Sequence, residues 1–164
     1  MKCIYIGDSG NISERVPTNH CSGDVEGSSF CKRVARAMGY PIGRMKRSRK
    51  NSTKLIITST DSTIAKRNIK AYAKSGKWKF VLCADKEEAH DFQWYAIDRL
   101  NPKLNVDRRN WKQNQAQRYG QLLNSLIKCD LLDVSVLRHK AAGPGVYVHY
   151  NPISPPVYNV PKTP

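Results

Sequence analysis

What the chain lacks narrows it first. No apolar run approaches the length of a membrane span and the N-terminus carries no signal-peptide pattern, so a cytoplasmic protein with no membrane partner is expected. Acidic residues are scarce: 13 Asp and Glu stand against 28 Lys and Arg, for a formal charge of +15. Such an excess concentrates polyanions around the chain and suits a phosphate backbone. A membrane surface is a poorer fit, because the basic residues do not lie opposite a broad apolar face. Cys-x-x-Cys pairs are absent. The five cysteines, Cys3, Cys21, Cys31, Cys83 and Cys129, are scattered and odd in number, and they signal neither a zinc ribbon nor a disulfide framework. Reduced, partly buried thiols are expected instead. With 164 residues, 40% of them apolar, the chain can bury a core without disulfides or metal.

Lys2-Cys3-Ile4-Tyr5-Ile6 reads as a short strand, and Asp8 to Asn11 turn the chain. Asn11 or Ser13 can cap the next element, which carries Arg15 and is interrupted by Pro17. A helix capped at Ser28 or Ser29 presents Phe30, Val34, Ala35 and Met38 on one face and stops at Gly39. Arg44, Lys46, Arg47, Arg49, Lys50 and Lys54 follow without one acid, and their repulsion predicts a solvent-facing loop over 44–54. Leu55 to Thr58 suggests a strand and Asp61 or Ser62 opens another helix. Trp78 to Cys83 alternates as a strand, the third of a small antiparallel sheet. A long helix is expected from Trp111 and an imperfect strand over Leu131 to Leu137.

Asp85 with Glu88 three residues on reads as a capping box opening a helix whose buried stripe is Ala89, Phe92, Ala96, Ile97 and Leu100. Gln93 lies four residues from both Ala89 and Ile97, inside that stripe. A polar side chain there must find hydrogen bonds or line a cavity. The spacing singles out Gln93 by itself.

Tyr5-Ile6-Gly7, then Asn11-Ile12 and Arg15, resembles the second half of the GIY-YIG nuclease signature. Glu88-Ala89, Ile97 and Asn101-Pro102-Lys103-Leu104-Asn105 resemble its last motifs, in which a helix bearing a metal-binding Glu ends in a Pro-x-Leu-Asn turn. Together they frame roughly residues 3–105. The resemblance implies an α+β fold: a small three-stranded antiparallel sheet flanked by helices, here with a C-terminal helix and β extension. The expected division is a nuclease core over 1–110 that carries the basic loop, and an extension over 111–164. Gly145-Val146-Tyr147 resembles the first half of the signature, the Gly-Ile-Tyr strand that normally precedes Tyr-Ile-Gly. Either the chain is circularly permuted and residues 145–149 complete the core sheet, or they belong to an unrelated hairpin whose return arm is Pro155 to Tyr158.

The implied reaction is hydrolysis of a DNA phosphodiester with one Mg²⁺ (or Mn²⁺). Residue 93 occupies the position of the family's metal-binding Glu, twelve residues before Asn105. Gln keeps the shape and loses the charge that a divalent ion needs. Two explanations stand: an inactivating Glu→Gln change, favoured by the intact neighbouring motifs, or a natural, catalytically dead relative. Arg15 would face the phosphate, and Asn105 would brace the site. Tyr147 would be the base if the chain is permuted, with Tyr5 orienting water or phosphate; otherwise Tyr5 inherits the base role. His20, five residues after Arg15, would help hold Tyr or phosphate. The 44–54 cations with Arg108, Arg109 and Lys112 are the expected contacts to double-stranded DNA. A restriction endonuclease, acting as a homodimer if its site is palindromic, is the first expectation. A homing, phage or repair endonuclease is the runner-up, and a noncatalytic nucleic-acid-binding module is the alternative from another class.

Overall fold

In this computed structural model residues 1–49 and 51–158 are described. In chain order they form β1 (Lys2–Ser9), α1 (Ile12–Glu14), a π-helical turn (Arg15–His20), α2 (Ser29–Ala37), β2 (Ile42–Lys46) and β3 (Thr53–Ile57). There follow α3 (Ser62–Ser75), β4 (Lys77–Leu82), α4 (Lys86–Leu100), a 3₁₀ turn (Gln113–Gln115), α5 (Ala116–Lys128), α6 (Val134–Lys140) and β5 (Gly145–Asn151). Among the described residues two compact units result: Met1–Pro17 with Gly76–Ile153, and Thr18–Ser75 with Ser154 to Tyr158. The 110/111 line drawn from the sequence falls inside the first of them.

The first unit is built on a three-stranded antiparallel sheet in the order β1-β5-β4. Its central strand comes from the end of the chain: Tyr5 pairs with His149, Gly7 with Tyr147, and Trp78 with His149. Because side chains alternate across a strand, Ile6, Val146 and Val148 share one face. They pack against Ala89, Phe92, Tyr95 and Ala96 of α4 and against Tyr119, Leu122 and Leu126 of α5. The other face carries Tyr147 and His149, whose rings lie 6.1 Å and 4.6 Å from that of Trp78. Ile12, Leu137 and Ala141 are fully buried, and α6 packs on α1 and β4. Truncating a buried ring such as Phe92 would cost about 3–5 kcal/mol.

Asp85 caps α4 as its spacing predicts, its carboxylate accepting from Glu88 N at 2.8 Å, while Glu88 accepts from Ala84 N at 2.6 Å. Two expectations for this unit change. Residues 131–137 contribute only a bridge between Leu132 and Trp78, after which α6 begins. Asp133 marks the switch: it precedes the helix, and its side chain holds Lys77 at 2.6 Å. The helix expected from Trp111 begins only at Ala116, because Trp111 instead sets its ring edge-on against Tyr95 at 4.7 Å.

In the second unit α2 packs on α3 and β2, around Phe30, Val34, Ala35, Ile69 and Tyr72. Ser28 caps α2 through Cys31 N at 3.1 Å, and Gly39 ends it with φ +86°. The basic segment expected to be a loop over 44–54 is strand at its two ends, where β2 and β3 pair antiparallel from Ile42↔Ile57 to Lys46↔Thr53, while residues 47–49 and 51–52 between them lie outside both strands. Repulsion among its cations does not prevent this, because the ladder is made by the backbone, Arg44 and Lys46 are exposed to water, and alternation sets Lys54 on the opposite face from them. Lys50 lies outside the described residues. No strand involves 155–158 among the described residues; Tyr158 N donates to Met38 O at 2.9 Å and its ring stacks on Tyr40.

Candidate active site

β1 is an edge strand, and an edge needs a partner for its backbone. Asn101 leaves α4 in the left-handed conformation, φ 44°, and turns the following residues along that edge. Leu104 N then donates to Ile4 O at 2.8 Å. Asn105 continues the pattern with its side chain. Ile6 N donates to Asn105 Oδ1 at 2.8 Å, and Asn105 Nδ2 donates to Ile6 O at 2.9 Å. A carboxamide is a peptide group on a stalk, so this buried asparagine acts as one more rung of the ladder. A β-bulge between Cys3 and Tyr5 sets the register just upstream.

The next residue along β1 is Gly7, and here the absence of a side chain is required. A Cβ at Gly7 would overlap the Tyr147 ring, reaching Cζ at 2.5 Å. Tyr147 therefore lays its phenol across the glycine, fully buried, with Tyr5 beside it. Arg15 hydrogen-bonds that hydroxyl. Its turn is held there by the lead into β5: Ile12 N donates to Gly143 O at 3.1 Å and Ser13 N to Ala141 O at 3.0 Å. Those two N–H groups would otherwise be orphans at a helix start. Pro17 has no N–H to give the preceding turn, consistent with the α-helix widening to a π-turn at Arg15.

Burial pushes the Tyr147 phenol well above its ordinary pKa, and Tyr5 and Asp8 add to the rise. Arg15 opposes them through its charge and its hydrogen bond. Burial dominates, so the free site holds Tyr147 protonated at neutral pH.

Gln93 comes from α4 and is buried, as its place in the apolar stripe requires. Its Nε2 donates to Ile6 O at 3.3 Å, so this carbonyl receives both Gln93 and Asn105. The two amides fill its two lone pairs. The site residues do not fit a divalent cation. Position 93 offers a neutral amide whose nitrogen faces the backbone, and among the described residues no group of three or more His, Cys, Asp or Glu is arranged to hold a metal ion. Glu88 cannot stand in: Arg118 Nε holds it at 2.8 Å, and this bond is the main cause that lowers its pKa.

Tyr5, Arg15, Gln93, Asn105 and Tyr147 are thus all tied to the segment Tyr5-Ile6-Gly7 or to one another. His20 belongs to the second unit, where it is fully buried, bonds Ser28 Oγ through Nδ1 at 2.7 Å and tilts against Phe30. Arg108 braces the turn by donating to Asn101 Oδ1 at 2.6 Å and to the Asn105 carbonyl. Lys112 pairs with Glu87 at 2.7 Å, and Arg109 lies over the Trp94 ring at 5.1 Å. In the ribbon, Arg47 pairs with Glu26 at 2.5 Å, while Arg44, Lys46 and Arg49 are exposed.

Two residues that sequence reasoning missed adjoin the site. Asp8, next to Gly7, has its Oδ2 3.5 Å from His90 Nδ1. His90 lies three residues before Gln93, a helical spacing that could have singled it out. Asp8 gave no such signal, because Asp in a turn is ordinary.

A family model described as a GIY-YIG catalytic domain matches residues 1–125. The match ends before β5, the strand that carries Tyr147. No curated protein and no solved structure matches the chain.

Proposed function

From the premise that the chain belongs to the GIY-YIG catalytic-domain family, and is therefore a nuclease of the GIY-YIG type acting on DNA, we propose a restriction-type endonuclease whose catalytic power is held down by Gln93. The observation that carries this is the meeting of two amides on one β1 carbonyl with a buried tyrosine and its arginine one residue on.

In this reading a scissile phosphate is held by Arg15, whose planar fork suits two phosphate oxygens. The charge of Arg15 also draws Tyr147 toward the phenolate, against the pull of burial. Only the phenolate of Tyr147 can take the proton of the attacking water, so its own proton must first pass to solvent under the charge of Arg15; Tyr5 orients that water. Asn105 holds the strand on which these groups stand. Nucleases of the family are generally divalent-metal dependent, and a carboxylate at 93 is the change that would supply the charge for Mg²⁺. We also read β5 as the Gly-Ile-Tyr strand of a circularly permuted core. In support, Gly145-Val146-Tyr147 lies between β1 and β4 with Tyr147 directly opposite Gly7.

The contacts proposed for duplex DNA are Arg44, Lys46, Arg49, Lys54 and Arg109, with Arg47, Arg108 and Lys112 released from their present partners on binding. A homodimer is proposed for a palindromic site, in the cytoplasm. Among the described residues no helix is long and apolar enough to cross a membrane. One observation favours a second reading, a noncatalytic DNA-binding module: the Gln93 amide satisfies the Ile6 carbonyl as a carboxylate would not. Digestion of a defined plasmid by the Gln93→Glu protein with Mg²⁺ separates the two. Discrete fragments support the restriction reading and random nicking a nonspecific nuclease; an inert, folded variant leaves the binding module.

A further inference from the structure

The outer half of the β2–β3 ribbon is exposed on both faces. Arg44, Met45, Lys46, Arg47, Ser48, Arg49, Asn51, Ser52 and Thr53 are all exposed. A two-stranded ribbon with neither face packed is marginal in water. This one also concentrates cations without an acid between 44 and 54. Glu26 steadies it, accepting from Leu55 N at 2.8 Å and from Arg47 at 2.5 Å. Such an arrangement contributes nothing to a core, and its stability rises when a polyanion surrounds it.

The pairing decides which side chains point together. Arg44 opposes Leu55 and Lys46 opposes Thr53, so these four share one face, while Met45 and Lys54 share the other. On the first face Arg44 Nη1 donates to Thr53 Oγ1 at 3.4 Å, which aims the guanidinium across the ribbon. Dimensions then select the ligand. Paired strands lie about 4.8 Å apart, and three residues of each arm project about 10 Å. The major groove of B-DNA, about 12 Å wide and about 8.5 Å deep, admits such a ribbon, whereas the minor groove is about 6 Å wide. The major groove of an A-form RNA duplex is too narrow to be read.

We propose that this ribbon enters the major groove of B-form DNA and reads base edges with the face bearing Arg44, Lys46 and Thr53. Arg44 supplies a bidentate contact to guanine O6 and N7, while Arg49 near the tip and Lys54 on the opposite face engage phosphates. The β2–β3 ribbon is thereby a specificity element and not only a source of backbone affinity. The inference rests on the reading of the chain as acting on duplex DNA.

The test selects bound duplexes from a random-sequence pool with the full chain in chelator, so that no cleavage intervenes. A sequence preference containing guanine is expected, with binding blocked when that guanine is methylated at N7. Arg44→Ala should relax the preference at the guanine position by roughly tenfold to a hundredfold. Lys54→Ala should weaken all sequences alike and reduce the salt slope by about 1. Arg44 is exposed, so its variant should keep the parent's thermal midpoint. The inference is overturned if the parent chain shows no preference, if Arg44→Ala lowers all affinities uniformly, or if a minor-groove ligand competes while N7 methylation is harmless. Ribbon-dependent preference with no cleavage by Gln93→Glu would remove the nuclease reading and leave this one standing. Cleavage by Gln93→Glu at sites unchanged by Arg44→Ala would do the reverse.

Discussion

Gln93→Glu should destabilise the free protein, and metal should restore it. The Ile6 carbonyl receives Asn105 Nδ2 at 2.9 Å and Gln93 Nε2 at 3.3 Å. A carboxylate at 93 removes the second donor and turns an oxygen toward an oxygen in a buried place. One lost hydrogen bond costs about 1 kcal/mol net, and the unpaired, partly desolvated charge raises the sum to roughly 2–4 kcal/mol. For a chain of this length that is a fall in Tm on the order of 5–15 °C. Desolvation would raise the new carboxyl's folded pKa above its unfolded value of about 4.3. The folded variant then binds more protons than the unfolded one, so stability falls as pH rises through that window and is recovered in acid. Mg²⁺ should reverse the loss at neutral pH by supplying the countercharge. Thermal unfolding of parent and variant, with Mg²⁺ and with chelator across pH 4–8, reads every part of this. A variant as stable as its parent in chelator, and indifferent to Mg²⁺, would refute the role assigned to the amide.

Three further outcomes follow from the same site. Asn105→Ala should cost roughly 2–4 kcal/mol, since it strips two buried bonds from Ile6, and should expose the Ile6 amide to hydrogen exchange. Gly7→Ala should displace Tyr147 and lower stability by about 1–3 kcal/mol or more, measurable by chemical denaturation. Tyr147 has a raised folded pKa, so its contribution is complete below the unfolded value of about 10 and would be lost as pH rises through the folded one. The loss of stability above pH 10 should therefore be shallower in Tyr147→Phe, as followed by circular dichroism.

Local patterns made part of this molecule legible. The alternation of Trp78 to Cys83 and the Asp85–Glu88 cap have local physical causes, and both elements form where the residues predict. Gln93 stood out because a polar group inside an apolar stripe has to be satisfied, though nothing local named the Ile6 carbonyl as its partner. The place of β5 in the core sheet is one of two alternatives raised by the resemblance of Gly145-Val146-Tyr147 to a Gly-Ile-Tyr strand; a two-residue period alone does not encode pairing across more than a hundred residues. The ribbon was obscured because clustered charge resembles loop chemistry, while strand pairing uses backbone groups that charge does not remove. Composition marks Arg108 only as a cation; that it donates to Asn101 Oδ1 and the Asn105 carbonyl, and must leave them to reach a phosphate, depends on the fold. Asp8 became visible only when folding set it beside His90.

The most direct measurement compares plasmid cleavage by Gln93→Glu with that by Gln93→Glu/Arg15→Ala and Gln93→Glu/Tyr147→Phe, after each has been found folded and able to bind DNA. The account predicts Mg²⁺-dependent cleavage by the single variant and a loss of at least about a hundredfold in each double variant. Inertness of the folded, DNA-bound single variant, or undiminished cleavage in either double variant, would contradict it.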